Sequence, residues 1–199
     1  MRARDIPLDT HPDVYEPAED SRLLADAILA RDLAGKRVLD VGTGSGIAAV
    51  AAAMRGARVL AVDLNAVACA LARANAAKNG TAVGVLRGDL ATGVRGPFDL
   101  VAFNAPYLPS APHERLAGPL DAAFHGGEGG VEVATRLVRD LPRILAPDGE
   151  ALVVASSRGD LDALRDEAAQ AGLAVAEEAE VRFFFERVGL WRLRRHQSL

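Results

Sequence analysis

The chain is short of cysteine, histidine, positive charge and long apolar runs, and each shortage excludes something. A single cysteine, Cys69, rules out an intramolecular disulfide and fits a reducing compartment, so a cytoplasmic protein is expected. Cys69 sits in Ala66-Val67-Ala68-Cys69-Ala70-Leu71, a setting for a buried small side chain rather than a nucleophile. The four histidines, His11, His113, His125 and His196, are scattered without metal-ligand spacing, so no metal is expected. No uncharged apolar run is long enough to span a bilayer. The start, Met1-Arg2-Ala3-Arg4-Asp5, lacks an apolar h-region, so neither a signal peptide nor a membrane is expected. At a net charge of −4 the surface as a whole does not attract nucleic acid. There is no repeat, linker or composition break. The 199 residues, 50% of them hydrophobic, are therefore expected to form a single domain over 1–199.

What is present is organised around Arg37-Val38-Leu39-Asp40-Val41-Gly42-Thr43-Gly44-Ser45-Gly46. Val38, Leu39 and Val41 read as a short buried strand, and 47–54 as a helix packed on a sheet. A strand, a glycine loop and a helix in succession begin a doubly wound α/β fold and place a ligand at the loop. The third glycine of a dinucleotide fingerprint would fall at position 47, which is Ile47, and no G-K-[ST] of a P-loop follows. The pattern present, D-x-G-x-G-x-G from Asp40 to Gly46, resembles motif I of the class I S-adenosylmethionine-dependent methyltransferases. Gly42, Gly44 and Gly46 would let the backbone approach the cofactor. A tight turn with no ligand is the alternative reading of this loop alone.

Two further apolar strands end in acids. Arg58-Val59-Leu60-Ala61-Val62-Asp63 places Asp63 19 residues beyond Gly44 (63 − 44), where a carboxylate can accept both ribose hydroxyls of a nucleoside. Capping the helix over 66–79 is its alternative role, and the two can coexist. Leu64 follows Asp63 and is grouped with it. Val83-Gly84-Val85-Leu86-Arg87-Gly88-Asp89-Leu90 is the third strand, whose Asp89 would accept from an adenine amino group while the Leu90 N–H donates to the ring. Asp40, Asp63 and Asp89 thus all fall at carboxyl ends of strands, where ligands bind in this fold.

The fourth strand, residues 98–104, delivers Asn104-Ala105-Pro106-Tyr107 to the same rim. Methylating a planar amide or exocyclic amine is difficult because the nitrogen lone pair is delocalised. Acceptors aimed at the NH₂ group help to localise it. The Asn104 side-chain oxygen and the Ala105 carbonyl would be those acceptors. Pro106 fixes Ala105 in an extended conformation, and Tyr107 offers a flat face.

Residues 1–12 are polar, with Pro7 and Pro12, and are expected to form a flexible arm; 13–33 is an N-terminal covering segment. Pro17, Glu19 and Asp20 suit the first turn of a helix, and Leu24, Ala27 and Ile28 make its apolar stripe. That helix is either a plain cover or a lid with Tyr15 and Ser21 facing the cofactor. Residues 105–130 are rich in Pro and Gly and read as a long acceptor wall, with His113, Glu114 and Arg115 as its polar candidates. A helix over 131–145 precedes a turn at Pro147-Asp148-Gly149, a fifth strand spans 150–156, and a helix spans 160–171. A terminal hairpin follows over 173–184 and 187–193, with Phe183-Phe184-Phe185 expected in its packing.

Taken together, Tyr15-Glu16-Pro17-Ala18-Glu19-Asp20-Ser21, the Asp40–Gly46 loop, Asp63-Leu64-Asn65, Gly88-Asp89-Leu90, Asn104-Ala105-Pro106-Tyr107 and Gly126-Gly127-Glu128-Gly129-Gly130 resemble the HemK-type protein N5-glutamine methyltransferases. The likeness is to the short branch without an N-terminal helical domain. It covers residues 12–155 well and the last two strands loosely. The resemblance implies a Rossmann-like, seven-stranded, mostly parallel sheet with an antiparallel last strand and helices on both faces. S-adenosyl-L-methionine would be the donor, S-adenosyl-L-homocysteine the product, and the glutamine of the Gly-Gly-Gln motif of a peptide-chain release factor the acceptor. Tyr15, Ser21, Asp40, Gly42, Gly44, Gly46, Asp63, Leu64, Asp89, Leu90 and Asn104 would line the cofactor. Asn104, Ala105, Pro106 and Tyr107 would carry the chemistry. The family has proline where this chain has Ala105, which keeps the carbonyl but lowers its rigidity and adds an N–H. An adenine-N6 methyltransferase shares the catalytic motif, and a non-catalytic cofactor-binding protein is the other alternative. The third strand would lie at a sheet edge, where a homodimer or a small activating partner could pair.

Overall fold

The computed structural model describes residues 1–109 and 123–196. Helix α1 (Glu19–Leu29) precedes β1 (Arg37–Val41), α2 (Ile47–Met54), β2 (Arg58–Asp63), α3 (Ala66–Lys78), β3 (Val83–Arg87) and β4 (Phe98–Asn104). Short strands β5 (Leu108–Pro109) and β6 (His125–Gly127) come next, then α4 (Glu132–Ile144), β7 (Leu145–Ser156), α5 (Leu161–Gln170), β8 (Leu173–Arg182) and β9 (Arg187–Arg195). Seven strands form one sheet in the order β3-β2-β1-β4-β7-β9-β8. The first five are mutually parallel, and β9 is antiparallel to both β7 and β8.

The unbroken apolar strands are explained by burial on both faces. Side chains alternate along each strand. Val38, Ala61, Leu100, Ala102, Leu152 and Val154 pack with Leu24 and Ile28 of α1 and Val50 and Ala51 of α2. Their neighbours Leu39, Val101, Phe103 and Val153 pack with Leu137 and Leu141 of α4 and Leu164 of α5. The strand order reverses beside β1, which has β2 on one side and β4 on the other. Crossovers leave β1 and β4 toward opposite faces, so a crevice opens at their carboxyl ends, the usual ligand position of an open α/β sheet.

Several sequence expectations change. The first residues are not a loose arm, because a buried amide in α3 holds them. Asn75 is fully buried and its Nδ2 donates to the Asp9 carbonyl at 3.1 Å and the Ser45 carbonyl at 2.8 Å, while Asp9 N donates back to its Oδ1 at 2.7 Å. Ala3 and Ile6 are buried as well, and Ala3 N donates to Asp26 at 2.6 Å. The turn expected at 147–149 lies inside β7 as a register shift: Phe98 pairs with Leu145, and Leu100 with Glu150. Part of the long Pro/Gly stretch is regular, since β5 and β6 pair with each other. His113, Glu114 and Arg115 lie outside the described residues. Phe184 and Phe185 do not pack in the hairpin; they stand 92% and 89% exposed at its tip. Among the described residues no helix is long and apolar enough to cross a membrane.

Candidate active site

A cleft of about 840 Å³ opens over the carboxyl ends of β1, β2 and β4. Every residue expected at the site lines it except Gly46: Tyr15, Ser21, Asp40, Gly42, Gly44, Asp63, Leu64, Asp89, Leu90, Asn104, Ala105, Pro106 and Tyr107. Gly46 works behind it. Its φ is +85°, and a Cβ there would stand 3.0 Å from Ala72 Cα, so it sets the approach of α2 to α3.

Asp40 holds the glycine loop from within. Its carboxylate is buried, and Oδ2 accepts from Thr43 Oγ1 at 2.6 Å and from Ala49 N at 3.1 Å. Gly46 is the N-cap residue of α2 and has no side chain to cap it. Asp40 therefore supplies from the strand end the oxygen that satisfies a first-turn N–H. Burial pushes its pKa up to about 7, against the lowering effect of those two hydrogen bonds.

Asp63 binds the other side of the loop. Oδ2 accepts from Gly44 N at 2.9 Å and Oδ1 from Asn65 N at 2.8 Å, and burial raises its pKa above the usual carboxylate range. The cap of α3 is Asn65, whose Oδ1 accepts from Val67 N at 2.9 Å. Capping is thus taken by Asn65, and Asp63 faces the cleft. Asp89 pairs with Arg136 of α4 across 2.6 Å, both being half exposed. Leu90 follows with φ +49°. A bulky residue in left-handed backbone is rare enough to mark a site.

The Asn104 end of the cleft is built on Asp20, which its local sequence presents as an ordinary helix-dipole acid. Asp20 is buried at 4% exposure. Its Oδ2 accepts from Tyr107 Oη at 3.1 Å, Tyr15 Oη at 3.2 Å and Asn104 Nδ2 at 3.2 Å, and its Oδ1 accepts from Ser21 N at 2.6 Å. Asn104 Nδ2 also donates to Ser21 Oγ at 3.1 Å. Both amide hydrogens of Asn104 are thereby spent. Its Oδ1 is buried and has no hydrogen-bond partner among the described residues. Burial, and next the nearby Asp20, raise the pKa of both Tyr15 and Tyr107, so these phenols stay protonated as donors. A signal for Asp20 was present: Asp20, Leu24 and Ile28 are spaced by four, which puts the acid on the buried stripe of α1.

The glycine run braces this end. A Cβ on Gly126 would collide with the Gly130 carbonyl and stand 2.7 Å from the Pro106 carbonyl oxygen. Gly127 has φ +96° and lies against the Glu132 carboxylate. Glu132 in turn accepts from Gly129 N at 2.6 Å and Val131 N at 3.1 Å. Residues 126–130 therefore clasp the backbone of Pro106 and Tyr107 as well as forming a wall.

The pocket fits a nucleoside-type cofactor. A Cβ on Gly44 would meet nothing nearer than 3.9 Å, so the volume above the loop is open to a ligand. An acid at one side and Leu64 and Leu90 at the lip match a ribose and a flat base. Among the described residues no cluster of three or more His, Cys, Asp or Glu could hold a metal ion.

Residues 7–117 match the methyltransferase small domain family. A relative in Methanocaldococcus jannaschii, whose assigned name is protein N5-glutamine methyltransferase, is 36% identical over 192 residues, 94% of this chain and 96% of its own. A release factor glutamine methyltransferase of Gloeobacter violaceus is 40% identical over 159 residues, 73% of this chain; the chain spans 55% of that relative's length. Among solved structures, Mtq2 in the E. cuniculi Mtq2-Trm112 complex superposes with a TM-score of 0.73 at 24% identity, covering 92% of this chain and 99% of that one, a likeness of fold. With the glycine loop, the strand-end acids and the Asn104–Tyr107 motif converging on one cleft, the chain belongs to the HemK-type protein N5-glutamine methyltransferases, enzymes of the S-adenosylmethionine-dependent class.

Proposed function

We propose that this enzyme methylates the side-chain amide nitrogen of a glutamine displayed on a protein loop, the Gly-Gly-Gln loop of a peptide-chain release factor. The observation that carries the reading is the orphaned Oδ1 of Asn104. A buried acceptor without a partner is costly and persists where a ligand completes it. An amide NH₂ has two hydrogens to give. One goes to Asn104 Oδ1 and the other to the Ala105 carbonyl, which helps to localise the nitrogen lone pair as the methyl arrives. S-adenosylmethionine, when bound, supplies an electrophilic methyl group. Asp63 would hold the ribose, Asp89 and the Leu90 N–H the base, and the Gly42–Gly46 backbone the amino-acid end. Tyr107 and Phe124 line the cleft beside the amide. The rest is positioning. The methylated amide releases its proton to solvent through the open cleft, so no side-chain base is invoked. The release-factor names of relatives support the acceptor class.

Asn104→Ala tests the reading: kcat should fall by about 10²–10³-fold, as when one oxyanion-hole donor is deleted, with donor affinity nearly kept. A variant that retains kcat would remove Asn104 from the chemistry.

We further propose that β3 receives a partner strand. It is one of the two edges of the sheet, and Leu86 is 44% exposed on it. An active monomer in light scattering would count against this.

A further inference from the structure

Among the described residues, helix-facing and cleft-facing side chains account for most large apolar residues, but not for the tip of the β8–β9 hairpin. Phe183 N donates to the Glu186 carbonyl at 2.7 Å, which closes a tight turn with Phe184 and Phe185 at its centre. Among the described residues Leu90 is the non-glycine residue with positive φ, so neither phenylalanine adopts the primed turns that two-residue hairpins favour. Glycine, asparagine or aspartate would serve such a turn, and nothing in its geometry asks for two exposed aromatics. The rings pack edge to face with centroids 4.6 Å apart, forming one rigid apolar knob. A local rule broken without structural gain marks a functional surface.

The knob is continuous with the acceptor end of the cleft. Phe183 and Glu186 share a small cavity of about 220 Å³ with Tyr15, Glu19, Asp20 and Tyr107. Glu186 also lines the main cleft and is anchored by buried Ser156, whose Oγ donates to it at 2.5 Å. The base of the tip thus adjoins the Tyr15, Asp20 and Tyr107 cluster. The two arginines flanking it are already matched by two acids: Arg182 pairs with Glu180 at 2.6 Å, and Arg187 with Glu180 at 3.1 Å and Glu177 at 3.4 Å. Glu19 and Glu186 line the small cavity at its base, and with Glu19 paired to Arg22 at 3.5 Å it is Glu186 that leaves this base acidic.

We propose that Phe184 and Phe185 dock the folded body of the acceptor protein, seating in an apolar hollow bordered by basic side chains beside its glutamine loop. The proposal rests on the protein-glutamine reading of the cleft. Two buried aromatics contribute roughly 300–500 Å², short of the ~800 Å² per partner of a stable interface. The knob therefore suits a second point of contact for a protein whose loop already occupies the cleft, rather than a self-contact.

Steady-state methylation by F184S/F185S tests this with two acceptors, an intact release factor and a short peptide carrying its glutamine loop. For the intact factor KM should rise about tenfold or more, with kcat and donor affinity kept. The peptide should be turned over as by the unsubstituted enzyme, and F184L/F185L should recover most of the affinity. An unchanged KM for the intact factor overturns the docking surface, as does an equal loss with both acceptors. A dimer that the serine substitutions split into monomers also overturns it, since the knob would then be a self-contact. If the unsubstituted enzyme methylates neither acceptor, the protein-glutamine reading itself falls, and the docking assignment with it.

Discussion

Asn104 Nδ2 stands 3.2 Å from Asp20 Oδ2, a contact between residues 84 positions apart. It decides which way the Asn104 amide faces. Asp20 Oδ2 already accepts from two tyrosine hydroxyls, so an Asn104 flipped by 180° would set oxygen against oxygen. The NH₂ is held by Asp20 and Ser21, which on the proposed reading leaves Oδ1 for the acceptor amide. Asp20 is thus a positioning residue. Asp20→Ala should lower kcat by roughly 10²-fold, the cost of a small misplacement of a reacting group, while donor affinity changes little. Steady-state kinetics with calorimetry of donor binding measure the two separately.

Donor binding should depend on Asp63. Each of its oxygens holds one backbone N–H, which leaves further lone pairs for ribose hydroxyls. Asp63→Ala should cost about 1.5–3 kcal/mol of donor affinity, the range for hydrogen bonds to charged groups. Calorimetry with S-adenosylhomocysteine reads this directly, and an unchanged affinity would remove Asp63 from the ribose site.

Buried Asp40 makes stability depend on pH. Burial raises its pKa to about 7 in the folded chain from an ordinary value of 3.8. Folding thus favours its protonated form, and this contribution is fully present below about pH 4 and lost as pH rises through 7. At 1.36 kcal/mol per pKa unit the loss is at most about 4 kcal/mol. Asp40→Asn keeps an acceptor for Thr43 and Ala49 but cannot ionise. Denaturant midpoints from pH 4 to 8 should fall for the unsubstituted protein and stay flatter for the variant.

Gly126 has no room for a side chain, since its Cβ would press on the Pro106 carbonyl. Gly126→Ala should shift the Ala105–Tyr107 backbone and lower kcat by about 10²-fold while leaving donor affinity within a few-fold. Comparable losses in both would mean that the strand ends have moved as a unit.

Most of the fold was legible because its strands are buried on both faces and read as continuous apolar runs, with glycine turns between them. The strand-end acids and the Asn104–Tyr107 motif were legible because one strand delivers each to the rim. What stayed hidden depends on pairing across the fold. Asp20 reads locally as a helix-dipole acid, and its donors come from its own stretch, Tyr15 and Ser21, and from Asn104 and Tyr107 at and just past the end of β4. Asn75 looks like an ordinary helix residue, yet it pins the N-terminus. Arg136 meets Asp89 only after α4 folds across the sheet. Phe183-Phe184-Phe185 reads as core by composition, and only the turn between β8 and β9 puts two of the rings into solvent.

The central claim is that Asn104 and Ala105 hold a glutamine amide for methylation. Tandem mass spectrometry of a release factor incubated with enzyme and S-adenosylmethionine tests it most directly. One added methyl is expected, on the side-chain nitrogen of the glutamine in Gly-Gly-Gln, and it should be lost with Asn104→Ala. An unmodified glutamine, with methylated adenine in a parallel oligonucleotide reaction, would contradict the claim.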